Sequence, residues 1–184
     1  EEPCELESLK TKNVIQIACG EFHTCALTES GEVYIWGSCE ANGTGEEGLI
    51  ESPTLVLGLE AKNIIKVVCG SACTFVLSKN GQVYSWGSGR HGILGHGTTD
   101  NYEFPGLISS LKGKIIGIST GGLHTCVWTT DGCVYSWGNG RHFALGFISG
   151  DDVYSPQLVD ALADGKKITD LSCGSNDTIA LVQR

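Results

Sequence analysis

Apolar and polar positions alternate in short bursts along this chain, and nearly every burst stops at a glycine. "KNVIQIACG" from Lys12 and "KNIIKVVCG" from Lys62 are β-branched runs of this kind, and "HTCALT" at 23–28 follows as a half-buried segment. Runs this short, bounded by turn residues, predict strands. Ser30-Gly31, Asn80-Gly81 and Asp131-Gly132 come next, dipeptides that tolerate the positive φ angles of a two-residue hairpin. A "VYxWG" strand, a glycine loop and a further strand begun near a proline complete the pattern. No segment demands a helix.

The pattern recurs. "GEVYIWGS" at 31–38, "GQVYSWGS" at 81–88 and "GCVYSWGN" at 132–139 place Trp36, Trp86 and Trp137 at intervals of 50 and 51 residues. A second marker is "IACGEFHTCALT" from 17, "VVCGSACTFVLS" from 67, "ISTGGLHTCVWT" from 118 and "LSCGSNDTIALV" from 171, and a third is Pro3, Pro53, Pro105 and Pro156. The chain is thus expected to comprise units 3–52, 53–104 and 105–155 with a partial unit 156–184. Four short antiparallel strands in about 50 residues make a propeller blade, so the expected fold is all-β, a partial β-propeller.

This register assigns most conspicuous residues to structure. The repeat tryptophans and their preceding tyrosines are expected to pack between neighbouring blades. Cys19, Cys69 and Cys173 share a phase with Thr120, and Cys25 and Cys126 share one with Phe75 and Ile179, as small core residues would. No Cys-x-x-Cys pair occurs, so no structural zinc site and no cofactor are expected. His23 and His124 are equivalent, with Cys73 and Asp177 at their phase. They read as hydrogen-bonding core or rim residues. No serine, histidine and acid arrangement supports hydrolysis. Trp128 stands where other units have Leu27, Leu77 and Leu181, and is expected to fill a larger gap.

Gly87, Gly89 and Gly92 form a Gly-x-Gly-x-x-Gly run of the sort that cradles phosphate when a helix follows. Ile93-Leu94-Gly95-His96-Gly97 is a poor helix start, and the related "VYSWGNGRHFALGF" has Phe143 in place of Gly92. The shared element "WGxGRHxxLG" reads as a blade-edge loop.

Bulk properties narrow the function classes. The 26 glycines are spread evenly, as tight turns require, and the formal net charge of −9 argues against nucleic acid as a partner of this segment. No apolar run approaches the roughly 20 residues that span a bilayer, and no signal peptide is seen. An odd count of nine cysteines fits reduced thiols inside a cell, cytoplasmic or nuclear. With no methionine, position 1 included, a segment of a longer protein is expected.

The repeated pattern resembles the regulator of chromosome condensation repeat, over essentially the whole chain. The resemblance implies a seven-bladed propeller, of which this chain carries about three and a half blades. An open stack leaves an unpaired edge and an apolar blade face, to be covered by further blades or by a second copy. The founding member, as the resemblance implies, is a guanine nucleotide exchange factor for the small GTPase Ran and binds chromatin. On that pattern the first unit resembles the wedge-bearing blade: it inserts "CEANGTGEEG" after Ser38, and Glu21 keeps an acid after the strand-ending glycine. Glu21 and His23, with Cys39, Glu40, Asn42, Glu46 and Glu47 of the loop, are the wedge candidates. The next unit departs from the pattern, having Ser71, Ala72 and Cys73 where the founding member has an acid and a histidine. The second reading is a protein-interaction module whose variable loops carry the contact. Arg90-His91 and Arg141-His142 would then form a basic strip on an acidic protein.

Overall fold

The β-branched runs do form strands, and each sheet is a simple meander. In the computed structural model, which describes residues 5–38, 42–44, 48–162 and 167–183, three four-stranded antiparallel sheets follow one another. The first contains β1 (Val14–Cys19), β2 (His23–Thr28), β3 (Val33–Ser38) and β4 (Leu49–Leu55). The second contains β5 (Ile64–Cys69), β6 (Cys73–Ser78), β7 (Val83–Gly87) and β8 (Tyr102–Leu107). The third contains β9 (Ile115–Thr120), β10 (His124–Thr129), β11 (Val134–Gly138) and β12 (Val153–Leu158), and β13 (Lys167–Cys173) pairs with β14 (Thr178–Gln183) in a fourth sheet. The only helical pieces among the described residues are four three-residue 3₁₀ turns, so none can cross a membrane.

The sheets are offset from the proline-marked units of the sequence. Pro53, Pro105 and Pro156 lie inside β4, β8 and β12, the outermost strand of each sheet. An outermost strand pairs on one side only, and there a residue without an N–H removes no ladder bond.

The hairpins between second and third strands differ from the two-residue type expected. Gly31 N donates to Thr28 O at 3.0 Å and Thr28 N to Glu32 O at 3.0 Å, with φ of +85° at Gly31, and Ser30 does not take positive φ. This is a type I turn followed by a glycine bulge, repeated at Gly81 and Gly132. The preceding Thr28, Ser78 and Thr129 hydroxyls each accept the N–H four residues on, which fixes the turn.

Blades stack through their first strands, β1 against β5, β5 against β9 and β9 against β13. The core lies between neighbouring sheets in three clusters. Trp86 and Trp137 are fully buried there, as expected, whereas Trp36 is only half-buried, since among the described residues no sheet packs on that side of its own. The two end faces are open. Ile17 is 68% exposed although its counterparts Val67, Ile118 and Leu171 are buried, and Ile179 and Leu181 are 68% and 63% exposed where Phe75 and Leu77 are buried. Trp128 is buried and fills the space of a missing side chain: its partner across β9 and β10 is Gly117, at the phase of Gln16, Lys66 and Asp170.

Candidate interaction face and blade junctions

The register His23↔Gly37, repeated as Cys73↔Gly87 and His124↔Gly138, puts the turn between first and second strands at the same end as the loop after the third. One face therefore gathers Glu21 and Phe22, Ser71 and Ala72, Gly122 and Leu123, and both Arg-His loops. Glu21 is exposed and accepts a short hydrogen bond from the Ser71 hydroxyl of the next blade, while Glu21 N donates to Ser71 O at 3.1 Å. Phe22 is 53% exposed and lines a shallow depression of about 150 Å3 with Ala72, Ser88, Arg90 and Leu123. Phe143, 63% exposed, lies on the same face in the third blade.

Other candidates sit elsewhere. His23 is only 4% exposed, with Nε2 placed 2.8 Å from the Thr74 hydroxyl of the next blade, so its ring is not available to a partner at the surface. Asn42 is buried too; its side-chain oxygen accepts from Thr44 N at 2.9 Å and from the Thr44 hydroxyl at 2.7 Å. Cys39, Glu40, Glu46 and Glu47 lie outside the described residues. From strand-ending glycine to proline the first blade has 16 positions, against 18 in the second and third, so "CEANGTGEEG" replaces the regular loop and does not lengthen it.

The two Arg-His pairs are not equivalent in surroundings. Arg90 and Arg141 are exposed. His91, at φ +60°, places Nδ1 2.7 Å from Asp152 Oδ2 and 3.1 Å from Asn139 Nδ2, both on the next blade. Asp152 Oδ1 also accepts from Gly140 N at 3.2 Å. His91 thus joins two blades, whereas His142 is exposed. Gly87 and Gly89 serve the loop itself: Gly87 has φ +105°, and a Cβ on Gly89 would come within 1.9 Å of Asp100 O. Phe143 takes φ +59° where Gly92 takes +72°, a conformation that costs glycine little.

Conspicuous chemistry also lies between blades, where the spacing of residues along the chain conceals it. His23, Cys25 and Cys69 bring one ligand atom each within 4.8 Å of one another, and so do His124, Cys126 and Cys173. Each group takes its histidine and first cysteine from the second strand of one blade and its second cysteine from the first strand of the next. Thr74 and Thr178 complete them, the latter 2.8 Å from His124 Nε2. The Cys69 thiol is lowered to about 6, chiefly by the Cys25 thiol hydrogen bond and then by His23, against burial. Cys173 is lowered to about 5 in the same way by Cys126 and His124, while Cys126 is raised by its bond to Cys173 and by burial. Adding 44 or 47 residues, one repeat less the offset between phases, to each first cysteine would have found its partner in the sequence.

Two family models described as the regulator of chromosome condensation (RCC1) repeat match the chain, one at 80–128 and 131–181 and the other at 14–43, 64–93 and 115–143. The chain belongs to the RCC1-repeat family. It is 37% identical over 179 residues to the E3 ubiquitin-protein ligase HERC2 of Homo sapiens, covering 97% of this chain and 3% of the relative. It is 32% identical over 183 residues to the ultraviolet-B receptor UVR8 of Arabidopsis thaliana, covering 97% and 41%. Among solved structures it superposes on Prp20p of Saccharomyces cerevisiae with TM-score 0.84 at 24% identity, covering 94% of this chain and 44% of that one. On human WBSCR16 the TM-score is 0.81 at 26% identity, covering 94% and 46%. This RCC1-repeat chain therefore spans less than half of each, and the sheets are the blades of that propeller.

Proposed function

We propose that this propeller segment is a protein-interaction domain that grips an acidic partner segment through the face bearing Glu21, Phe22, Arg90 and Arg141. The observation that carries the reading is Phe22, an aromatic side chain 53% exposed beside Arg90 at a depression between blades. Aromatic and arginine side chains around a recess are the composition of binding hot spots. Exposed Arg90 and Arg141 offer cationic contact points to an acidic partner on a face that also carries the acid Glu21. Prp20p has binding properties towards Gsp1p and histones, so a protein partner is in keeping with the fold's use elsewhere.

The test is photo-cross-linking in cells, in the full-length protein, with a reactive amino acid at position 22 or 90, or at Lys79 or Asp131 on the opposite face. Adducts are expected from the first pair, and those from position 22 are expected to be lost on Arg90→Glu with Arg141→Glu. Adducts from the opposite face alone would overturn the reading.

A second reading, exchange-factor activity on a small GTPase, draws on the exposed acid Glu21. Release of bound GDP from such a GTPase separates the two.

A further inference from the structure

We propose that the two His–Cys–Cys clusters between blades are zinc(II) sites, one joining the first and second blades and one joining the third and fourth. The ligand atoms of His23, Cys25 and Cys69 lie within 4.8 Å of one another, as do those of His124, Cys126 and Cys173, before any ion draws them in. Two sulfurs and one imidazole nitrogen form a donor set suited to zinc. Two cysteines giving up their protons to solvent supply two negative charges, so the dication enters a buried junction with no net charge left unbalanced. Nothing is oxidised or reduced.

Each imidazole has a fixed partner at Nε2, Thr74 or Thr178, and a metal bound through Nδ1 would leave that bond in place. The Thr178 hydroxyl has one proton, and Ala144 O accepts it at 2.8 Å. The 2.8 Å contact from His124 Nε2 to that hydroxyl must then be an N–H donation, which leaves Nδ1 with a free lone pair. In the other cluster Nε2 of His23 likewise faces Thr74, and its Nδ1 is buried with no hydrogen bond among the described residues. The second thiols also match: Cys69 donates to Ala18 O at 3.5 Å and Cys173 to Ser119 O at 3.4 Å. Zinc would displace the thiol protons of both cysteines in each site, those of Cys25 and Cys126 included.

The middle junction is a built-in comparison. Cys73, Phe75 and Thr120 occupy the His, first Cys and second Cys phases there, and they offer one thiol and no imidazole. Zinc at the outer two junctions would clip adjacent blades of an open stack, adding binding free energy to a contact that otherwise rests on packing.

The full chain, purified under a non-thiol reductant, would be titrated with Cd2+ alone while the sulfur-to-cadmium ultraviolet band is followed. Zn2+ would then be used to displace it. Saturation at two equivalents is expected, one in Cys69→Thr, and none in Cys69→Thr with Cys173→Thr. Threonine is chosen because Thr120 already fills that phase. Cys19→Ser and Cys133→Ser, outside the clusters, should still take two equivalents. Zinc should raise Tm in the parent and leave the double variant unmoved. Absence of a saturable band, or a band that survives in the double variant, overturns the proposal. If the double variant does not fold, X-ray absorption at the zinc edge of the parent decides: a shell of two sulfurs and one nitrogen supports the sites, and a shell of oxygen and nitrogen alone overturns them.

Discussion

Trp137 donates its indole N–H to the carbonyl of Ile93 across 2.6 Å, from the third blade to the loop of the second, and Trp86 at the same phase has no acceptor among the described residues. Replacing either with phenylalanine removes about the same volume, but among the described residues only Trp137→Phe strands a buried carbonyl. We expect Trp137→Phe to lose about 1–3 kcal/mol more than Trp86→Phe in denaturant unfolding. Equal losses would mean that the bond adds nothing to the junction.

Gly117 and Trp128 are a matched pair. A Cβ at Gly117 would lie 2.0 Å from Trp128 Cζ2, so Gly117→Ala should be destabilising by about 1–3 kcal/mol, the cost of overpacking. Gly117→Gln combined with Trp128→Leu, the pair that Gln16 and Leu27 already form, should recover most of the loss caused by Gly117→Gln alone. The coupling is read from a double-mutant cycle on unfolding midpoints.

His96 should make stability fall in mild acid. Burial lowers its pKa, partly offset by a hydrogen bond at Ser85. The Ser85 hydroxyl donates to Leu94 O at 2.7 Å, so the 3.0 Å contact with His96 Nε2 is a donation from the ring. With the folded pKa below the unfolded value of about 6.5, the unfolded chain takes the proton first. The contribution is complete above about 6.5 and declines as pH falls towards the lowered folded value. His96→Phe, which copies Phe147 at the same phase, should flatten that slope in melts across the range.

For the exchange reading, the full-length protein would be added to a small GTPase loaded with fluorescent GDP. On the interaction reading the release rate stays at its basal value. Acceleration that disappears in Glu21→Ala would favour exchange instead.

The open end faces should make the purified chain associate as its concentration rises, since Ile17, Ile179 and Leu181 expose apolar surface that full blades bury. Sedimentation should show mass above 19.5 kDa at high concentration, and Ile17→Lys with Leu181→Lys should return it to that value. A parent that stays monomeric throughout would rule out closure by a second copy.

The strands, their order and the blade repeat were legible because the period-two pattern and the glycine markers recur in phase. Burial of Trp86, Trp137 and Trp128 followed from the same phase. Less legible was which residues of neighbouring blades meet, since that takes the register between blades as well as the repeat within them. His91 reads as half of a basic pair until Asp152, 61 positions away, is found against it. His23 and Cys25 read as core until Cys69 arrives from the next sheet. Hairpin type also escaped, because Ser-Gly, Asn-Gly and Asp-Gly suit both a two-residue turn and a type I turn with a glycine bulge.

Considered as a chain under tension, the blades are fastened at different radii. The first and second share a fastening at their inner strands, where the Gln16 side chain bonds both Val67 O at 2.9 Å and Val67 N at 3.0 Å. The third and fourth are joined there too, by Cys173 N to Ser119 Oγ at 3.0 Å. The second and third are bolted further out, by Trp137 to Ile93 and His91 to Asp152. The outer two seams are bonded further out as well, by Glu21 N to Ser71 O at 3.1 Å and the Thr178 hydroxyl to Ala144 O at 2.8 Å. A pull along the stack would then open the middle seam from the axis outward, so the molecule would yield in steps rather than all at once.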